Sequence, residues 1–97
     1  MDFVNKVTLR GFVHQLRKYD WGYHFLVRTE YCYQNKDGEM VVENQYHTVK
    51  YITKSSCVLI FDKKSINVEG RIRYTKYTSS EGVEQIRTEI IATRVWV

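Results

Sequence analysis

The sequence has no proline, two cysteines and no long apolar run. Without proline there is no proline-rich spacer, and neither a repeat nor a low-complexity segment interrupts the chain. Cys32 and Cys57 lack the spacing of a zinc or redox motif. They read as free thiols of a reducing compartment, which points to a cytoplasmic protein. No stretch approaches the ~18 apolar residues that a membrane span needs. Met1-Asp2-Phe3 is not a cationic segment leading into an apolar one, so no secretion signal is expected. His14, His24 and His47 form no ligand cluster with the cysteines, and neither a metal nor a cofactor is expected. No Ser-His-Asp order, phosphate-cradling glycine loop or acid pair stands out, which argues against an enzyme.

What is present is β-forming. Eight tyrosines join valine, threonine and isoleucine in a chain of 97 residues, a length that fits one domain over residues 1–97. Fifteen Lys plus Arg against eleven Asp plus Glu give a formal charge of +4. That balance permits an anionic partner without requiring one. The stretch Ser65–Tyr77 alternates strictly, with Ile66, Val68, Gly70 and Ile72 on one face and Asn67, Glu69, Arg71 and Arg73 on the other. Period-two alternation predicts a half-buried strand. Its second half continues with Tyr74, Lys76 and Tyr77, mixing rings with cations on a strand that has left its core. Such an arm suits a flat, anionic ligand such as single-stranded nucleic acid.

Other strands follow from the same period. Lys6–Leu16 sets Val7, Leu9, Gly11 and Val13 against Thr8, Arg10, Phe12 and His14. Arg17–Gly22 reads as a polar connection. Tyr23–Tyr33 and Val41–Ile52 form an antiparallel hairpin around Asp37-Gly38, a strong turn signal. The apolar run Cys57–Phe61 fits a buried strand or a short helix started by Ser55 or Ser56; the helix is preferred because neighbouring strands already pair as hairpins. Thr78–Gly82 is a loop and Val83–Val97 a last strand. Five strands with interior glycines and a short helix between strands three and four predict an all-β OB-fold barrel. Trp96, in an apolar Val95-Trp96-Val97 end, reads as packing or interface. Trp21 reads equally as a loop ring touching nucleic acid or as a barrel cap.

With this layout the sequence resembles the bacterial single-stranded DNA-binding protein family. Val4-Asn5-Lys6-Val7-Thr8-Leu9-Arg10-Gly11 resembles that family's first strand, and Val68-Glu69-Gly70-Arg71-Ile72-Arg73 its fourth. Gly38-Glu39-Met40 and Gln45-Tyr46-His47 resemble its middle hairpin, Lys76-Tyr77 its basic-aromatic pair, and Val83–Ile91 its last strand. The resemblance implies a homo-oligomer, usually a tetramer, that binds single-stranded DNA in replication, recombination or repair at the nucleoid; a homodimer is the alternative that the sequence leaves open. It places stacking rings at Tyr46, Tyr77 and either Tyr33 or Cys32. It places basic contacts at Lys6, Lys54, Lys63 or Lys64, Arg73 and Lys76. Thr48, Lys50 and Ile52 continue the Tyr46 face, and His47 falls near a subunit interface. Tyrosine stands where the family has tryptophan, and Ile52 where it often has a stacking phenylalanine. The sequence ends at Val97 without the family's acidic-tipped tail, so no tail-recruited partner proteins are expected. A primosome-like or RNA-binding OB protein, or an OB-fold protein–protein adaptor, are the alternatives.

Overall fold

The computed structural model describes residues 2–54, 60 and 62–97. It contains β1 (Val7–Tyr19), β2 (Gly22–Gln34), β3 (Met40–Ile52), β4 (Ser65–Thr78) and β5 (Glu84–Trp96). They close a barrel in the order β1-β2-β3-β5-β4, with β3 and β5 parallel and the other pairs antiparallel. This is the OB-fold that the strand count and interior glycines predict. The short helix expected on Cys57–Phe61 lies outside the described residues, except for Ile60, which is buried in the core.

The alternating faces become inside and outside. Val13, Phe25, Val27, Val49, Ile66 and Val68 are all fully buried, joined by Tyr23, Ile90 and Ala92. β1 serves two neighbours in turn: Val7–Phe12 pairs with β4, and from Phe12 onward the strand pairs with β2. Gly11 sits at this changeover. A Cβ there would fall on the Arg28 carbonyl oxygen and lie 2.9 Å from Val27 Cγ1, so only glycine lets the two strands close on one another.

The polar connection expected at Arg17–Gly22 is corrected by a β-bulge. The β1–β2 register shifts between His14 and Arg17, and Gln15 takes a left-handed φ of 54°. The extra residue breaks the alternation, so the strand runs on to Tyr19, which pairs with Gly22 across a tight turn. Leu16 packs against the core while Arg17 pairs with His24.

Two ribbons extend from the barrel. β2 and β3 stay paired out to Gln34 and Met40, and Asn35 Oδ1 closes the Asp37-Gly38 turn by accepting from the Asp37 and Glu39 amides at 3.0 and 2.9 Å. β4 and β5 stay paired out to Thr78 and Glu84. Where β4 leaves the core, Asn5 extends the β1–β4 ladder with its side chain. Its Nδ2 donates to the Ile72 carbonyl at 2.8 Å and its Oδ1 accepts from the Ile72 amide at 2.9 Å. Asn5→Ala is expected to cost roughly 1 kcal/mol, read as a lower urea midpoint with an unchanged slope.

Candidate nucleic-acid interface

Strand register decides which outward side chains meet. On the outer face of β1–β2–β3, Phe12 lies opposite Arg28, and Arg28 opposite Tyr46. The next outward row is His14, Leu26 and Thr48, then Arg17, His24 and Lys50, then Tyr19, Gly22 and Ile52. Tyr46 and Phe12 are 56% and 42% exposed, so rings stand in solvent at one end of this face. Exposed rings on a sheet, flanked by cations, are what base stacking needs.

Arg28 organises the first row. Its guanidinium carbon lies 5.1 Å from the centre of the Phe12 ring. Its Nη1 donates to Glu30 Oε1 at 2.7 Å and to Asn44 Oδ1 at 3.3 Å, and its Nε to His14 Nε2 at 3.3 Å. The His14 ring meets Tyr46 edge-on, with centroids 5.8 Å apart and planes 69° apart. Tyr46 is thus propped from the side. Beside it runs an open groove lined by Tyr46, His14, Gln15, Leu26, Asp62 and Lys63. Asp62 is held there because its Oδ1 accepts the Leu16 amide at 2.9 Å. Of the two lysines that the resemblance offers at this point, Lys63 lines the groove, while the Lys64 carbonyl bonds the Val13 amide.

The other predicted residues separate. Tyr46, Thr48, Lys50 and Ile52 share the outer face of β3. Tyr33 does not join them: it lies on the opposite face of the β2–β3 ribbon, 5.9 Å from Tyr31 in a stacked pair. Cys32, a free thiol, is on the Tyr46 side, opposite Val42. On β4, Arg73 and Tyr77 share a face with Arg71 and Thr75. The Tyr77 hydroxyl donates to Gln85 Oε1 at 2.6 Å, and the Arg87 guanidinium carbon lies 5.0 Å from its ring centre. Lys76 points to the reverse face of that ribbon, with Nζ 3.7 Å from Glu84 Oε1. Lys6 lies 3.9 Å from Glu69 Oε2, and Lys54 is exposed just past β3.

His47 faces inward, half-buried, opposite Val27, with Nε2 2.9 Å from Thr29 Oγ1. Burial strips water from its imidazolium and lowers its pKa from the ordinary 6.5. Between the lowered value and 6.5 the unfolded chain therefore holds a proton that the folded chain does not. The His47 contribution is full above 6.5 and is lost as pH falls through that window. His47→Gln is expected to flatten the stability curve there, measured as urea midpoints between about pH 5 and 7.5.

Phe12, His14 and Arg28 were not evident as site residues from the sequence. The available signal was Phe12 itself, an aromatic ring on an otherwise polar strand face. Among the described residues, no three His, Cys, Asp or Glu side chains gather as a metal site, and no helix is long and apolar enough to cross a membrane.

No family model and no curated protein matches the chain. Its backbone superposes on a Plasmodium falciparum single-stranded DNA-binding protein, solved in complex with single-stranded DNA, with a TM-score of 0.80 at 17% identity, covering 99% of this chain and 96% of that one. A deletion mutant of the single-stranded DNA-binding protein of Thermus aquaticus gives a TM-score of 0.74 at 19% identity, covering 95% of this chain. The chain spans only 49% of that protein's length. A small single-stranded DNA-binding protein of Streptomyces coelicolor gives 0.62 at 15% identity, covering 93% of this chain and 90% of that one. All three are single-stranded DNA-binding proteins, and this chain shares their fold.

Proposed function

We propose that the protein binds single-stranded DNA without sequence preference and serves replication, recombination or repair, without chemistry of its own. The carrying observation is the outer row Phe12–Arg28–Tyr46, with Lys63 beside it and Lys50 further along the same face. Bases stack on Tyr46 and Phe12, while Lys50 and Lys63 approach the phosphates. Arg73 and Tyr77 on the β4–β5 ribbon, with Lys76 on its reverse, extend the path, as do Lys6 and Lys54 at its margins, and Tyr33 meets the strand where it passes round the reverse of the β2–β3 ribbon. The protein acts as a homo-oligomer in the nucleoid-associated cytoplasm, with His47 near the contact between subunits. The fold shared with proteins of this binding class supports the reading.

Titration of labelled oligothymidine at rising salt tests it. Phosphate contacts release counterions, so the logarithm of the affinity is expected to fall linearly with the logarithm of salt, by about 0.7 per phosphate engaged. Absence of binding at low salt would refute the proposal. Sedimentation of the protein with and without the oligonucleotide gives subunit number in the same preparation, and competition with RNA of equal length measures discrimination by the ribose.

A further inference from the structure

At the β1–β2 turn, the rings of Tyr19 and Trp21 are stacked, with centroids 5.0 Å apart and planes only 7° from parallel. They are 44% and 37% exposed, and neither belongs to the hydrophobic core cluster. The Lys50 ammonium sits 4.7 Å from the centre of the Trp21 ring. The turn is anchored, because the Trp21 carbonyl accepts the Thr53 amide at 2.9 Å just past β3.

Position gives this pair its meaning. Tyr19 is opposite Gly22, and Gly22 opposite Ile52, so the rings stand at the far end of the outer face that carries Tyr46. Tyr46 and Ile52 are both on β3, about 20 Å apart at the strand rise of about 3.3 Å per residue. Thr48 and Lys50 lie between them on the same face, making one track with rings at each end. A cap would put its rings over the barrel core. These two instead stack on each other in solvent and hold a cation that belongs to the track.

We propose that Tyr19 and Trp21, with Lys50, form a second nucleobase subsite, resting on the single-stranded DNA reading above. A base stacks against the ring pair, and the Lys50 ammonium leaves the Trp21 ring for the adjoining phosphate. A cation over an exposed ring is weakly held, so a phosphate competes for it readily. No bond is made or broken in this exchange.

Trp21 and Trp96 are the two tryptophans of the chain, so Trp96→Phe leaves Trp21 as the sole tryptophan reporter. This variant is titrated with a labelled oligothymidine of about 20 nucleotides, long enough for both ends of the track, while oligonucleotide anisotropy and Trp21 emission are followed together. Emission is expected to be quenched with the same midpoint as the anisotropy change. Trp21→Ala is expected to weaken binding about tenfold, and Lys50→Gln to lower the salt slope by about 0.7. Binding by anisotropy with unmoved Trp21 emission, or wild-type affinity in folded Trp21→Ala, overturns the subsite and leaves the single-stranded DNA reading intact. No anisotropy change in any protein at low salt removes both. The emission measurement keeps the turn intact, so it decides the matter even where Trp21→Ala does not fold.

Discussion

Gly70→Ala is expected to lower the thermal midpoint by roughly 12–24 °C, from a cost of about 3 kcal/mol in a domain of this size. Gly70 is buried on the inner face of β4 between Val68 and Ile72. A Cβ there would fall on the Ile91 carbonyl oxygen and lie 2.8 Å from its carbonyl carbon and 2.9 Å from Ala92 Cα. These are backbone atoms, so relief requires β5 to move. β5 is not free to do so, because at the same level Ile90, Ile91 and Ala92 pair in parallel with Val49, Lys50 and Tyr51 and close the barrel. The β4–β5 register also shifts between Glu69 and Gly70, so the wall bends where the methyl would intrude. Gly82→Ala is the control. Its φ of 80° is unfavourable for alanine, yet nothing lies within 4 Å of the added carbon, and the expected loss is about 1 kcal/mol. Circular-dichroism melts of the two variants make the comparison. Equal midpoints would show that close approach at Gly70 does not govern stability.

Tyr46→Ala is expected to weaken oligothymidine binding by about 1–3 kcal/mol, roughly a 5- to 150-fold rise in Kd, with little change in stability. The ring is more than half exposed and outside the core cluster, so its loss leaves no cavity. Its support comes from the edge of His14, and Arg28 in the same row is held by Glu30, Asn44 and His14. Tyr46→Phe keeps the π face and is expected to retain most of the affinity. Tyr33→Ala, on the reverse of the ribbon, is expected to lose less than Tyr46→Ala. Anisotropy titrations of the three variants at one salt concentration provide the measurement, and wild-type affinity in Tyr46→Ala would remove stacking on this face from the mechanism.

Much of the candidate face was already legible in local pattern. Thr48, Lys50 and Ile52 must share a face with Tyr46 because strand side chains repeat every second residue. The same rule puts adjacent Lys76 and Tyr77 on opposite faces, as they are found. Arg28 was not legible. Its place beside Tyr46 depends on the β2–β3 register, and its place beside Phe12 on the β1–β2 register, neither of which leaves a local signature. Trp21 was ambiguous for a related reason. The bulge at Gln15 carries β1 further than its alternation indicates, and so brings the turn, with both its rings, onto the outer face.

By itself the sequence determined what β1 and β4 bury. Alternation sorted Val13, Ile66 and Val68 inward, and Asp37-Gly38 marked the hairpin, because these depend on neighbours along the chain. Only the tertiary structure decided which outward residues meet: the Phe12–Arg28–Tyr46 row, Lys63 in the groove, and Lys50 over Trp21. Those contacts join residues distant in sequence, through the β1–β2 and β2–β3 registers and the bulge at Gln15. Register is settled by the packing of the whole barrel, so no single stretch of the chain contains it.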